Sequence, residues 1–214
     1  MSYTIQTGCF EKGTQEQKEA VIRLFGSGDV QYHFDFFFHW YNIAHEYGHC
    51  LCSHYDSKIL GLQQELLVND FAVAVWGYGG FRKELEQLQS LTADILRRIE
   101  NPVPTHMSFH DYYGQIWQTE QIMDVSTYGY FQFKSVQKAL QNRPPLSDIL
   151  PQMGIFQEVK GSLFSVEKYP VSAASSKNVL QSLRQLLCSL EIEQPDVELE
   201  LVEDPSVHCV RFVF

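Results

Sequence analysis

"WYNIAHEYGHCLCSHY", residues 40 to 55, decides how the chain is read, because it sets His45, Glu46 and His49 in the pattern H-E-x-x-H. Apolar or small residues stand at 40, 43, 44, 47, 48, 51 and 52 around that trio, so the segment reads as a helix buried on most of its sides. Two histidines four apart on a helix lie one above the other. Both imidazoles then reach one cation, with Glu46 beside the cation's open position. Burying these three polar side chains without partners is costly, and a metal offsets that cost. Gly48 gives up about 1 kcal/mol of helix propensity against Ala, which points to another segment approaching closely there.

A catalytic zinc takes three protein ligands and leaves the fourth position to water, so a third ligand is needed. His54 extends the run to H-E-x-x-H-x-x-x-x-H. The extended metzincin spacing instead asks for Gly and His where this chain has Cys52 and Tyr55, which leaves His54 one position out of step. Glu65, in "QQELLVNDFAVAVW" (residues 63 to 76), is the stronger candidate, since a carboxylate in an otherwise apolar helix needs an ionic partner to be buried. Asn69 follows one turn later, where an amide can hydrogen-bond a metal-bound histidine and fix its orientation. Asp70 points about 100° away from Asn69 and reads as a cap or surface residue. Cys50 and Cys52 lack the spacing of a His-Cys zinc cluster and read as small buried residues.

"HEYGH" (residues 45 to 49), followed by E-x-x-x-N-x-F-A at Glu65, Asn69, Phe71 and Ala72, resembles the gluzincin metallopeptidases. It is similar in particular to the ImmA/IrrE type, whose second helix carries E-x-E-A-N-x-F-A; Leu67 and Val68 stand here where that type has Glu and Ala. The resemblance is confined to residues 40 to 76. It implies a zincin-like fold, Zn2+ held by His45, His49 and Glu65, and Glu46 as the general base. The expected function is zinc-dependent hydrolysis of a peptide bond in a specific intracellular protein substrate. Such chemistry needs a hydrogen-bond donor for the oxyanion besides zinc. His106, His110, Tyr112, Tyr113, Tyr128 and Tyr130 are all candidates, and the sequence does not choose among them. The alternative is a catalytically inactive zincin-like module for binding or regulation. Glu46 favours the enzyme, because a structural site has no need of a general base.

Outward from the motif, the first ten residues read as a short strand and "TQEQKEAVIRLF" (14 to 25) as a helix capped by Thr14. The aromatic run "YHFDFFFHWY" (32 to 41) enters the motif helix directly and reads as core. A second apolar helix is predicted from Ser57 to about Trp76, closed by "GYGG" at 77 to 80, then an amphipathic one over 81 to 100. Residues 105 to 145 are predicted helical in two pieces around "STYGYF" (126 to 131), with a break at "NRPP" (142 to 145). Beyond it, 161 to 169 reads as a strand, 175 to 190 as a helix, and 196 to 214 as a β-hairpin turning at Asp204-Pro205-Ser206. The predicted class is α+β: a zincin-like, mainly helical domain over 1 to 150, and a small α/β part over 151 to 214 that ends in the hairpin.

Composition excludes several functions. With 44% apolar and 20% charged residues in 214, the chain is an ordinary folded one. A net charge of -10 without a basic cluster argues against nucleic acid as a partner. No apolar run nears the roughly 18 residues of a membrane span, and no basic n-region precedes one, so neither a membrane nor secretion is expected. Five scattered cysteines without C-x-x-C spacing suit a reduced, cytoplasmic protein. The remaining expected partner is the protein or peptide substrate, and the oligomeric state has no signature.

Overall fold

The computed structural model describes residues 2–159 and 171–202, and it is mainly helical with one two-stranded sheet. Strand β1 (Ser2–Gly8) leads to α1 (Gln15–Phe25). Thr14 opens α1 with a full capping box, its hydroxyl accepting from Gln17 N while the Gln17 side chain accepts from Thr14 N. Helix α2 (Val30–Asp35) passes through a π-helical turn over Phe36–Tyr41 into α3 (Asn42–His54), which carries the motif. Helices α4 (Leu62–Tyr78) and α5 (Arg82–Arg98) follow. Then come α6 (Phe109–Ile116), α7 (Val125–Asn142), the short α8 (Leu146–Ile149) and α9 (Ser176–Ser189), before β2 (Asp196–Val202). None of the helices among the described residues is long and apolar enough to cross a membrane.

The aromatic run forms part of the core, as its composition predicts. Phe36 stacks on Trp40, and Trp40 on Trp76, with ring centroids 5.1 and 5.0 Å apart. Phe37 and Phe25 both meet Phe133 of α7, which ties the entry to α3 to the far side of the bundle. Helix α4 is the central one. Apart from Glu65 and Asn69, its buried residues are apolar, and it packs against α3, α5, α7 and α8. A helix so enclosed has no polar face to spare, so any polar residue inside it must have a purpose or a partner.

Helices α3 and α4 meet at Gly48. A Cβ placed there would lie 3.0 Å from Phe71 Cδ1 and 3.1 Å from Val68 Cβ, and Val68 has no room to withdraw because its Cβ is fixed to the α4 backbone. Gly48→Ala is therefore expected to destabilise the protein by about 1 to 2 kcal/mol. Overpacking typically costs about 1 to 3 kcal/mol, and the gain of about 1 kcal/mol in helix propensity offsets only part of that. A urea melt of wild type and variant reads the difference.

Two boundaries depart from the sequence reading, and the strand at 196 to 202 has a pairing that the reading does not include. Helix α4 starts at Leu62 rather than Ser57, because Gly61 at its N-cap takes φ +56, a conformation outside the helix, and leaves Leu60 72% exposed. "STYGYF" lies inside α7 instead of dividing two helices. The break comes earlier, across 117 to 124, and Asp124 starts α7 by accepting a 2.8 Å hydrogen bond from Thr127 N. The strand at 196 to 202 is present, but its partner is β1, in parallel, from Ser2↔Asp196 to Gly8↔Val202. The second arm of the expected hairpin and the strand expected at 161 to 169 lie outside the described residues. In what is described of 151 to 214, β2 pairs with β1 and α9 packs on α3, and Leu183 and Val197 belong to the same apolar core as Ile43 and Val68.

Candidate metal centre

Helix α3 brings His45 and His49 to one point, with ring centroids 5.0 Å apart, and α4 brings Glu65 to the same point. One ligand atom from each lies within 4.8 Å of the others. His45 Nε2 is 3.5 Å from Glu65 Oε2, and His49 Nε2 is 3.2 Å from Glu65 Oε1. Ligand atoms about 2.0 to 2.1 Å from a tetrahedral zinc lie roughly 3.3 Å apart, so these separations are those of a zinc site's edges. Glu65 is 2% exposed and His45 1%, whereas the His49 side chain is 21% exposed, so the centre is closed on the His45 side and opens towards solvent past His49.

Neighbouring amides fix which nitrogen of each imidazole faces the centre. Asn69 Nδ2 donates to the carbonyl of Glu65 at 2.8 Å, which turns Oδ1 the other way. That oxygen accepts from Tyr41 OH at 2.9 Å and stands 3.1 Å from His45 Nδ1. Nδ1 must therefore carry the hydrogen, and the lone pair of His45 belongs to Nε2. The same logic holds at His49: Gln64 Nε2 donates to the Ile59 carbonyl at 2.8 Å, so Oε1 faces His49 Nδ1 at 3.1 Å. His45 Nε2 is buried and, among the described residues, has no hydrogen-bond partner. A buried, aimed and unpaired imidazole lone pair beside a carboxylate is what a cation completes.

The electrostatics agree. Burial alone would raise the pKa of Glu65, but the imidazoles of His45 and His49 outweigh it and hold the carboxyl at about 2. Burial would lower His49, yet the hydrogen bond and charge of Glu65 raise it to about 8. A carboxylate held ionised beside two imidazoles is a centre at which a bound cation competes with protons. Gln132 of α7 donates to Glu65 Oε2 at 3.4 Å and to Tyr128 OH at 2.7 Å.

Glu46 stands beside the triad and outside it. Its Oε1 accepts from Asn42 Nδ2 at 3.2 Å, it is part-exposed, and its charge bears on His49 and Tyr128. His54 is a bystander at the end of α3, 3.8 Å from the carboxylate of Glu193. Cys50 and Cys52 are buried thiols whose pKa values burial pushes up to about 12 and 11, so neither is a ready thiolate. Asp70 is half-buried and lines a cavity away from the triad.

Of the six residues offered for the oxyanion, Tyr128 is the one whose hydroxyl is tied to the triad, through Gln132. Burial foremost, then the charges of Glu65 and Glu46, hold that hydroxyl protonated well beyond the physiological range. Tyr113 OH donates to the Thr127 carbonyl at 2.8 Å, while Tyr112 OH accepts from Gln121 Nε2 at 2.8 Å, with no link to the triad among the described residues. Tyr130 is packed in the apolar cluster with Phe131 and Ile122. His106 is exposed, and His110 lies with Asp70 at the other cavity.

Sequence reasoning missed Tyr41, Gln64 and Gln132. Tyr41 could have been found, since it precedes His45 by four residues. Asn69→Ala is expected to weaken zinc binding about 10- to 100-fold, the usual loss when the group behind a metal-bound histidine is removed. Competition with a chromophoric chelator reads it. The chain matches no family model, no curated protein and no solved structure, so the functional reading stands on the chemistry of this centre.

Proposed function

We propose that this protein is a zinc-dependent peptidase of zincin-like type, hydrolysing a peptide bond in a specific protein substrate of a reducing compartment such as the cytoplasm. The observation that carries the reading is the convergence of two tautomer-fixed imidazoles on a buried carboxylate, with a second carboxylate, Glu46, left outside the ligand set. A purely structural metal has no use for Glu46. The free thiols Cys9, Cys50, Cys52 and Cys188 support the reducing compartment.

The fit of the residues to zinc is close: neutral Nε2 from His45 and His49 plus a carboxylate oxygen is a donor set that leaves a position open. Zinc bound there supplies Lewis acidity, which polarises a carbonyl and acidifies a water. Glu46 takes the proton from the water as its oxygen adds to the carbonyl carbon, and returns it to the nitrogen as the C–N bond breaks. Tyr128 donates its hydroxyl hydrogen bond to the oxygen on which negative charge gathers. Asn69, Tyr41 and Gln64 hold the two imidazoles in register throughout.

Metal content and cleavage test the proposal together. Protein purified without chelator is expected to carry zinc in equimolar amount and to cut members of a mixed peptide library followed by mass spectrometry. Protein without zinc affinity, or zinc-loaded protein that cuts no peptide or protein, overturns it.

A further inference from the structure

On the face of α4 that carries Leu66, Leu67 and Asp70 lies a cavity of about 410 Å3, walled on the opposite side by Ser135, Lys138 and Ala139 of α7. Its size is that of a small-ligand pocket, which typically runs about 300 to 1,000 Å3. Among the described residues, three polar groups in it have neither a hydrogen bond nor an ion pair. Ser135 is 2% exposed, and its hydroxyl has no hydrogen bond. Asp70 on one wall and Lys138 on the other are half-buried, and among the described residues neither enters an ion pair, with the other or with anything else. Lys138 Nζ lies over the face of Phe109, 4.7 Å from the ring centroid. Burial disfavours both charges, raising the pKa of Asp70 and lowering that of Lys138. Opposite charges on facing walls of one cavity, partly buried and not paired with each other, leave a place for a ligand that bridges them.

We propose that this cavity binds a free α-amino acid, its ammonium on Asp70, its carboxylate on Lys138 and the Ser135 hydroxyl, and its apolar side chain against Ile59, Leu66, Leu67 and Ala139. The zwitterion supplies each wall with the charge it lacks, which an amine or a carboxylate alone cannot do. Ile59, Leu66, Leu67 and Ala139 supply the apolar part of the lining, beside the polar Gln63, His110, Asn142 and Gln152, and favour an apolar side chain. The site is independent of the metal centre, since Glu65 and Asn69 project from a different face of α4.

Calorimetric titration of the full chain with L-leucine and L-methionine tests it, with isocaproate and isoamylamine as comparators lacking the ammonium or the carboxylate of leucine. Saturable binding of at least one amino acid is expected, about tenfold or more tighter than either comparator. Asp70→Asn and Lys138→Met should each weaken it about tenfold or more, a loss of about 1.4 kcal/mol, and Ser135→Ala by a smaller factor. The proposal fails if neither amino acid gives saturable heat, if a comparator binds as tightly as leucine, or if both charge variants bind like wild type. Because the readout is heat, a chain that cuts nothing still answers the question.

Discussion

Glu46→Gln leaves zinc bound in equimolar amount and lowers peptide cleavage by about 10²- to 10⁴-fold, the usual contribution of a positioned acid-base group. The two halves of this result come from different parts of the geometry. Zinc is retained because the ligand triad is His45, His49 and Glu65, while the Glu46 carboxylate touches Asn42. Cleavage is lost because an amide of nearly the same shape cannot accept the water's proton. Zinc analysis on the protein used for the peptide-library assay reads both. Undiminished cleavage would remove the general base and the peptidase reading with it. Loss of zinc would mean that Glu46 is a ligand, and that the centre is a closed four-ligand site.

The clustering of His45, His49 and Glu65 is legible because residue type and spacing carry it. His45 and His49 fall four apart on a helix, and Glu65 and Asn69 are the polar residues on the buried side of a helix whose other buried residues are apolar. Its supports were less legible. Gln64 adjoins Glu65 in sequence and reads as a solvent-facing amide; its hydrogen bond to the Ile59 carbonyl turns its Oε1 onto His49. Gln132 arrives from a helix 67 residues away. The same distance effect hid the sheet, since β1 and β2 pair across nearly the whole chain and an alternating strand does not say which partner it will take. The break before α7 was misplaced for a local reason. The side chain of Asp124, capping Thr127 N, already sets the start of a helix that runs on through "STYGYF". That correction has chemical weight, because a helical 125 to 142 puts Tyr128 and Gln132 one turn apart on the face that meets Glu65.

Glu65→Ala is expected to do more damage than any other single substitution at the centre. In the metal-free protein the carboxylate faces two imidazoles, and removing one member of a buried charged set costs about 3 to 5 kcal/mol, because the partner is left buried and uncompensated. Glu65→Gln keeps the volume and an oxygen able to accept from His49, so its loss is smaller. Chelator-treated protein also shows the contribution through pH. The carboxyl is held at about 2 against an unfolded value of 4.5, so its stabilisation is present above 4.5 and lost as pH falls towards 2. His49 is raised to about 8 from 6.5, so its share is present below 6.5 and lost as pH rises through 8. Metal-free wild type should accordingly lose stability on both flanks of that window, and the alanine variant should show a flatter profile. With zinc added, wild type gains stability by mass action, and Glu65→Ala should not respond at equal zinc concentrations. A variant that melts like wild type in chelator, or is stabilised by zinc to the same extent, would show that Glu65 is neither the ionic partner of the histidines nor a ligand to their metal.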